Sequence, residues 1–386
     1  MDVTVPISDL KQLLTAAKRV IPRSTSLPCL KGARLTAAGG TLTIEATSLD
    51  VTLTSSLPAT VRSEGVAVVP LSELAGHVKG KGSIDLTLAG DMLRAVNGTT
   101  SSLRVLPADE WPRTDGLDFS EAERFPLDLA AIVDVAIAAS VDDSKPTLGC
   151  VYFNGAEVCA TDSYRLHLLR NAEVDYPKVL VPAKALLLAA KVASSGTLQV
   201  VTTTREQGRD TITEAHARIT VGTQVIDVLC PDDTYPNFRQ LIPNPANYPC
   251  SITVDRLGFK AVVEGVKPMA KYATPIRLTC EGDELTVQAR TQDVGEASGS
   301  LPVKAEGDFP SVVGVIAFNP EFLLDCLTTL TGDFVTLTVI DGLKPALFAE
   351  ERYRWETRPG TRGRKQTKVG TLVGESIRLL MPVRVS

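Results

Sequence analysis

The chain has 386 residues, a formal net charge of −5, 44% hydrophobic and 22% charged residues. That length allows two to four domains, each large enough for its own core, and the composition excludes a disordered chain. No apolar run reaches the roughly 18 residues of a bilayer span. Met1-Asp2-Val3-Thr4 opens in strand-like alternation, with no basic start before an apolar stretch, so a cytoplasmic protein without a secretory signal is expected.

In chain order, Ser8 to Val20 predicts an amphipathic helix. Ser8 suits the N-cap, and Leu10, Leu13, Leu14, Ala17 and Val20 form one apolar stripe. After Pro22 and Pro28, Ala33 to Leu57 alternates as strands about a Gly39-Gly40 hairpin turn. Ser63 to Val69 reads as a strand, and Pro70 to Val78 as a second helix with proline in its first turn, where a missing N–H costs nothing. Ser83 to Leu88, Met92 to Val96 and Ser102 to Leu106 are short strands around Ala89-Gly90-Asp91 and Asn97-Gly98 turns. The order then repeats, with helices at Leu127 to Ala139 and Pro182 to Ala193 around a strand at Cys150 to Phe153. A third pass has helices at Val254 to Val266 and Pro320 to Leu330, strands through Arg290, and closing strands to Ser386.

Short similarities reinforce this repetition. Ala160-Thr161, at the head of Ala160-Thr161-Asp162-Ser163-Tyr164-Arg165-Leu166, closes an alternating stretch as Ala46-Thr47 does 114 residues earlier and Ala289 does 129 residues later. Such spacings match whole domains, since solenoid and propeller repeats have periods of about 20 to 50 residues. Pro107-Ala108-Asp109-Glu110-Trp111-Pro112 and Pro231-Asp232-Asp233-Thr234-Tyr235-Pro236 share proline, acidic and aromatic positions at a constant offset of 124. The fold class is therefore α+β: three tandem homologous domains, 1–122, 123–246 and 247–386, each with two helices and antiparallel sheets.

Residues that would mark an enzyme are absent. His77, His167 and His216 are scattered, with no HExxH pair, Walker loop, strand-following GxGxxG or GxSxG elbow. Asp142-Asp143 and Asp232-Asp233 sit beside turns or prolines, where aspartate favours backbone hydrogen bonds. The cysteines at 29, 150, 159, 230, 250, 280 and 326 form no CxxC pair and lie in apolar runs, as packed thiols do. No catalytic residue, cofactor or metal is expected.

In Thr25-Ser26-Leu27-Pro28-Cys29-Leu30, Ala-Thr-Asp-x-Tyr-Arg-Leu at 160–166, Tyr235-Pro236-Asn237-Phe238-Arg239 with Ile242-Pro243, and Leu380-Met381-Pro382-Val383-Arg384, the chain resembles the bacterial DNA polymerase III beta subunit, the sliding clamp. The resemblance covers the whole length. It implies a DNA-clamp fold and a ring-forming, head-to-tail homodimer with helices lining the hole and continuous sheets outside. A heterologous interface that closes on itself gives such a ring, and Leu103 and Val105 would meet the third domain of the partner. The implied function is a non-catalytic processivity factor that encircles duplex DNA without reading sequence. Its implied partners are the DNA polymerase III alpha subunit, the clamp loader and other proteins with clamp-binding motifs. A divergent paralogue, such as a phage or inhibitor-resistance copy, is an alternative. So is a β-rich interaction protein that does not bind DNA.

By position, the resemblance implies a partner-peptide pocket walled by Leu148, Thr161, Ser163, Tyr164, Arg165, Leu166, Pro236, Gln240, Leu241, Leu380, Met381, Pro382, Val383 and Arg384. The family often has glycine at the Ser163 position and arginine at the Gln240 position. The expected DNA-facing cations are Lys11, Lys18, Arg19, Arg23, Lys79, Lys184, Lys191, Arg256 and Lys260. Taken over 8–20, 70–81, 127–140, 182–193, 254–267 and 318–331, the stretches around the six predicted helices sum to +2 and leave −7 on the rest, so an acidic exterior would surround a weakly positive hole. Glu351 to Lys368 departs from the family's short connection. It carries a net +5, with Tyr353 and Trp355 among its arginines and Pro359-Gly360 as a hairpin tip, a composition suited to phosphates or an acidic protein surface.

Overall fold

The apolar stripe of the first predicted helix folds as expected: Ile7–Ala17 is α-helical, with Leu10, Leu13, Leu14 and Ala17 buried. Its cap differs. Pro6, with extended backbone, is the N-cap, and Ser8 lies in the first turn, its hydroxyl donating to Asp9. The computed structural model describes residues 1–386 except 23, 113–116, 208–209, 243–247, 271–273, 292–294, 359–366 and 385–386. It gives the backbone alone for the other residues of 205–212 and 351–374.

Helices begin later than periodicity alone predicts. Phe125–Asp128 pairs as a strand with Ser195–Leu198, so that helix spans Leu129–Ala136. Likewise Cys250–Asp255 is a strand, and Asp255 caps the helix Arg256–Val266 by accepting the Gly258 N–H. Leu71–His77, Ala183–Ala189 and Pro320–Thr329 match predicted helices, and a single turn at Phe309–Val312 is additional. Among the described residues no helix is long and apolar enough to cross a membrane.

The chain divides into two compact units, Met1–Ala130 with Lys184–Asp232, and Ala131–Ala183 with Asp233–Ser386. In the first, five antiparallel strands run in the order Thr60–Ser63, Asp2–Pro6, Ser83–Ala89, Met92–Val96, Thr100–Arg104. A second sheet of eight strands joins Gln224–Cys230 to Val51–Pro58, with Ile226 opposite Leu53. Its hairpin between Gly32–Ala38 and Thr41–Thr47 turns on Gly39 and Gly40, both left-handed at φ +54° and +76°, as a two-residue type I′ turn requires.

The second unit holds a twelve-stranded sheet in which Arg165–Asn171 pairs with Thr367–Leu380. Strand pairing thus continues across both predicted boundaries, and residues 122 and 246 each fall inside a unit. The long strands Ala346–Arg358 and Thr367–Leu380 pair out to Arg358 and Thr367. The Pro359-Gly360 tip lies outside the described residues, as do the side chains of the basic stretch.

Repetition is visible in detail. Ala46, Ala160 and Ala289 are all fully buried. The 3₁₀ turns Pro28–Lys31 and Pro146–Gly149 each lead into a strand. Trp111 and Tyr235, at the two similar exits, are both buried, Trp111 with Cys29, Leu30 and Val68, and Tyr235 with Cys150, Leu166 and Phe238. All seven cysteines are buried.

Candidate functional site

The strand Glu157–Thr161 reverses through Asp162, Ser163 and Tyr164 into Arg165–Asn171. Thr161 Oγ1 accepts the Ser163 N–H at 3.2 Å and donates to the Arg165 carbonyl at 2.6 Å. Asp162 accepts the N–H groups of Tyr164 and Arg165 at 2.9 and 3.0 Å. Ser163 sits at φ +82°, a left-handed backbone, which explains the glycine often found there in the family the chain resembles. Tyr164 is pushed outward and is 62% exposed.

Beside this turn the chain end continues the ladder. Arg165 lies opposite Leu380, and the next N–H, of Met381, donates to the Tyr164 carbonyl. Beneath lies a core of Cys150, Tyr152, Cys159, Leu166, Leu168, Tyr235, Phe238, Ile377 and Leu379, with Leu148 and Ile242 packed against it. Tyr152 and Tyr235 stack at 5.0 Å, with Phe238 edge-on to both. The 3₁₀ turn Phe238–Leu241 holds Gln240 and Leu241 at the surface, next to Ile242. Pro236 and Arg384 are exposed, Pro382 and Val383 half-buried. Leu241 and Met381 expose large apolar side chains at 48% and 40%.

Three predicted wall residues are engaged within the fold itself. Leu166 and Leu380 are each only 1% exposed, and Leu380 belongs to a different core, with Ala346 and Phe348, whereas its neighbour Leu379 joins Leu166. Alternation along a strand sends adjacent residues to opposite faces, which separates the two leucines. The Arg165 guanidinium is engaged on all sides: Nε to Asp162 at 3.0 Å, one terminal nitrogen to Asp325, the other to the Ile137 carbonyl at 2.6 Å, with the Phe322 ring at 4.4 Å. It anchors the turn to the helix Pro320–Thr329. The cation absent at Gln240 has a neighbour in Arg239, which pairs with Glu157.

Of the expected DNA-facing cations, Lys11, Lys18, Arg19, Lys79, Lys184 and Lys191 are exposed, and Arg23 lies outside the described residues. Arg19, Lys184 and Lys191 line one cleft of about 300 Å³ floored by Val20, Val51, Leu187 and Leu188, where Lys184 also meets Asp50 at 3.4 Å. Arg256 is held within the fold. Its guanidinium donates to the Leu327 and Gly332 carbonyls, completing the C-terminal end of the helix Pro320–Thr329, which leaves it little freedom toward a phosphate. Lys260 is half-buried beside Glu264. Leu103 is half-buried on Thr100–Arg104, the edge of its sheet, and Val105 follows it, donating its N–H to the Asp91 carbonyl. Among the described residues no cluster of histidine, cysteine and carboxylate side chains could hold a metal.

The family model for the DNA polymerase III beta subunit, N-terminal domain, matches residues 1–115, and that for its C-terminal domain matches residues 239–354. The chain belongs to the DNA polymerase III beta subunit family. It is 27% identical over 382 residues to the beta sliding clamp of Streptomyces coelicolor, covering 93% of this chain and 99% of that one. It is 29% identical over 324 residues to the beta sliding clamp homolog GriR of Streptomyces muensis, covering 79% and 82%. The DnaN sliding clamp of Bartonella birtlesii, solved bound to griselimycin, superposes over the full length of both chains with a TM-score of 0.81 at 23% identity. The sliding clamp of Bacillus subtilis does so at 0.80 and 18%. The fold is the multi-domain clamp fold with antiparallel sheets, and the chain is a non-catalytic subunit, the processivity clamp of a DNA polymerase.

Residues beside the predicted wall that sequence reasoning did not name also shape this region. Leu379 and the aromatic trio Tyr152, Tyr235 and Phe238 form the core beneath it, and Asp162 holds the turn. The available signal for that core was the run of aromatics flanking Pro236, and for Asp162 its place immediately after a threonine that ends a strand.

Proposed function

We infer that this clamp encircles duplex DNA as a head-to-tail homodimeric ring of three-domain protomers, divided near residues 122 and 246, and acts in the cytoplasm. It tethers the DNA polymerase III alpha subunit and other proteins bearing short clamp-binding motifs, and a clamp loader places it on DNA. The exposed cations Lys11, Lys18, Arg19, Lys79, Lys184 and Lys191 face the duplex, and the chain's net charge of −5 keeps phosphate pairing weak enough for sliding.

The observation that carries the peptide assignment is the group of exposed apolar side chains, Tyr164, Leu241 and Met381, around one aromatic-floored core at the end of a shared strand pair. Burying one leucine and one phenylalanine of a peptide contributes about 1.5 to 3 kcal/mol each. Micromolar binding needs about 8 kcal/mol, so main-chain hydrogen bonds supply much of the remainder. Retention on DNA tests the ring: loaded protein should leave linear DNA faster than closed circles. Equal retention would mean ordinary phosphate binding.

A second reading, a divergent copy beside a housekeeping clamp, is favoured by the similarity to GriR and by serine at the left-handed position 163. Loss of this gene would then leave replication intact in a cell that carries another clamp gene.

A further inference from the structure

We propose that Asp162 is a positioning residue of the peptide pocket, holding Ser163 in a left-handed backbone so that Tyr164 and Met381 present a fixed rim to a short peptide with leucine and phenylalanine anchors. The proposal rests on the pocket reading given above.

Among the described residues, two non-glycine residues have positive φ, Ser163 at +82° and Leu49 at +79°. They occupy the same place in two copies of one turn. In the first copy Thr47 Oγ1 accepts the Leu49 N–H at 3.0 Å and donates to the Val51 carbonyl at 3.3 Å. The Ser48 hydroxyl adds one long bond, from the Val51 N–H at 3.4 Å. In the second copy Thr161 repeats the role of Thr47, but a carboxylate replaces the serine hydroxyl. Asp162 Oδ1 takes two backbone N–H groups, and Oδ2 takes Arg165 Nε.

The threonine is therefore the shared scaffold of the turn, and the carboxylate is an addition in the copy that borders the pocket. Its side chain is 14% exposed, so it offers little surface to a ligand and acts through the backbone it holds. A left-handed residue with a Cβ persists only where its surroundings over-determine it. Here Asp162 supplies three charge-assisted bonds, and Arg165 fixes the far end on Ile137, Phe322 and Asp325. The Tyr164 carbonyl is thereby kept within reach of the Met381 N–H, and the tyrosine ring stays outward.

The test uses full-length protein and a synthetic peptide carrying Gln, Leu and Phe in the clamp-binding spacing, titrated by calorimetry. Asp162→Ala should weaken binding about tenfold while the protein stays folded by circular dichroism. Asp162→Asn, which keeps the Oδ1 acceptor, should lose about threefold or less. Adding Ser163→Gly to Asp162→Ala should restore affinity to within about threefold of the original, because glycine adopts the left-handed backbone unaided. Hydrogen exchange at the Met381 amide should follow the same order without any peptide. Undiminished binding by Asp162→Ala, or failure of Ser163→Gly to rescue it, overturns the proposal. If the unaltered protein itself does not bind the peptide, the pocket reading falls. The Met381 amide then decides the positioning alone, and unchanged protection in Asp162→Ala overturns that too.

Discussion

The Met381 N–H meets the Tyr164 carbonyl at 2.8 Å, one residue past the Arg165–Leu380 pair. This bond carries the ladder to the surface and sets a 40% exposed methionine beside a 62% exposed tyrosine. Met381→Ala should weaken the peptide about tenfold with the melting temperature nearly unchanged, since a half-exposed side chain leaves no cavity. Leu166→Ala should also weaken it, but at a stability cost of about 2 to 5 kcal/mol, because Leu166 is core. Calorimetry and thermal melts on both variants separate the two effects. Unchanged affinity in Met381→Ala removes the pocket assignment.

Leu103 lies opposite Leu93 on the outermost strand of its sheet, half-buried within one protomer. An edge strand offers unpaired backbone groups to a second chain. Sedimentation should give a dimer of twice 41.2 kDa for the natural sequence and a monomer for Leu103→Asp. A stable monomer of the unaltered chain at micromolar concentration contradicts the ring.

His167 is fully buried opposite Arg378 in the sheet, with Nδ1 2.7 Å from the Asp134 carbonyl, so the Nδ1–H tautomer donates there. Burial, then the Arg378 and Arg165 charges, hold its pKa well below 6.5 against the opposing pull of that hydrogen bond. The native ring is neutral, and the unfolded chain takes up a proton below about pH 6.5. Its contribution to stability is thus full above that pH and is lost as pH falls below it. Urea denaturation from pH 7 to 5 should show a shallower loss in His167→Gln than in the natural sequence, and equal slopes would refute this assignment.

The net +5 of residues 351–368 stands in a chain whose remainder carries −10. Replacing Arg358, Arg362, Arg364 and Lys365 together by glutamine should weaken DNA association and flatten its salt dependence by up to about 0.9 in log–log slope per lost phosphate contact. Peptide affinity and dimer mass should not move. An unaltered loading rate and salt slope would leave the hairpin without a role on DNA.

The strands, most helices and the repetition are legible in the chain alone, because period-2 and period-3.6 burial are local properties carried by a residue and its near neighbours. Ala46, Ala160 and Ala289 and the aromatic exits Trp111 and Tyr235 were legible for that reason, and all five are buried where the repeat places them. The roles of long-range partners emerge with the folded arrangement. Leu379 and Leu380 are chemically identical, and pairing with Leu166, more than 200 residues away, sends one to the core beneath the 161–165 turn and the other to a separate core. Arg165 reads as a pocket cation, yet it is held by Ile137 and Asp325 at separations of 28 and 160 residues. Arg256 reads as a phosphate contact, and in the fold its guanidinium completes a helix end 71 residues on. The left-handed backbone of Ser163 rests on bonds from Thr161 and Asp162 within its own turn, and the tertiary structure adds the far anchor of Arg165 on Ile137 and Asp325.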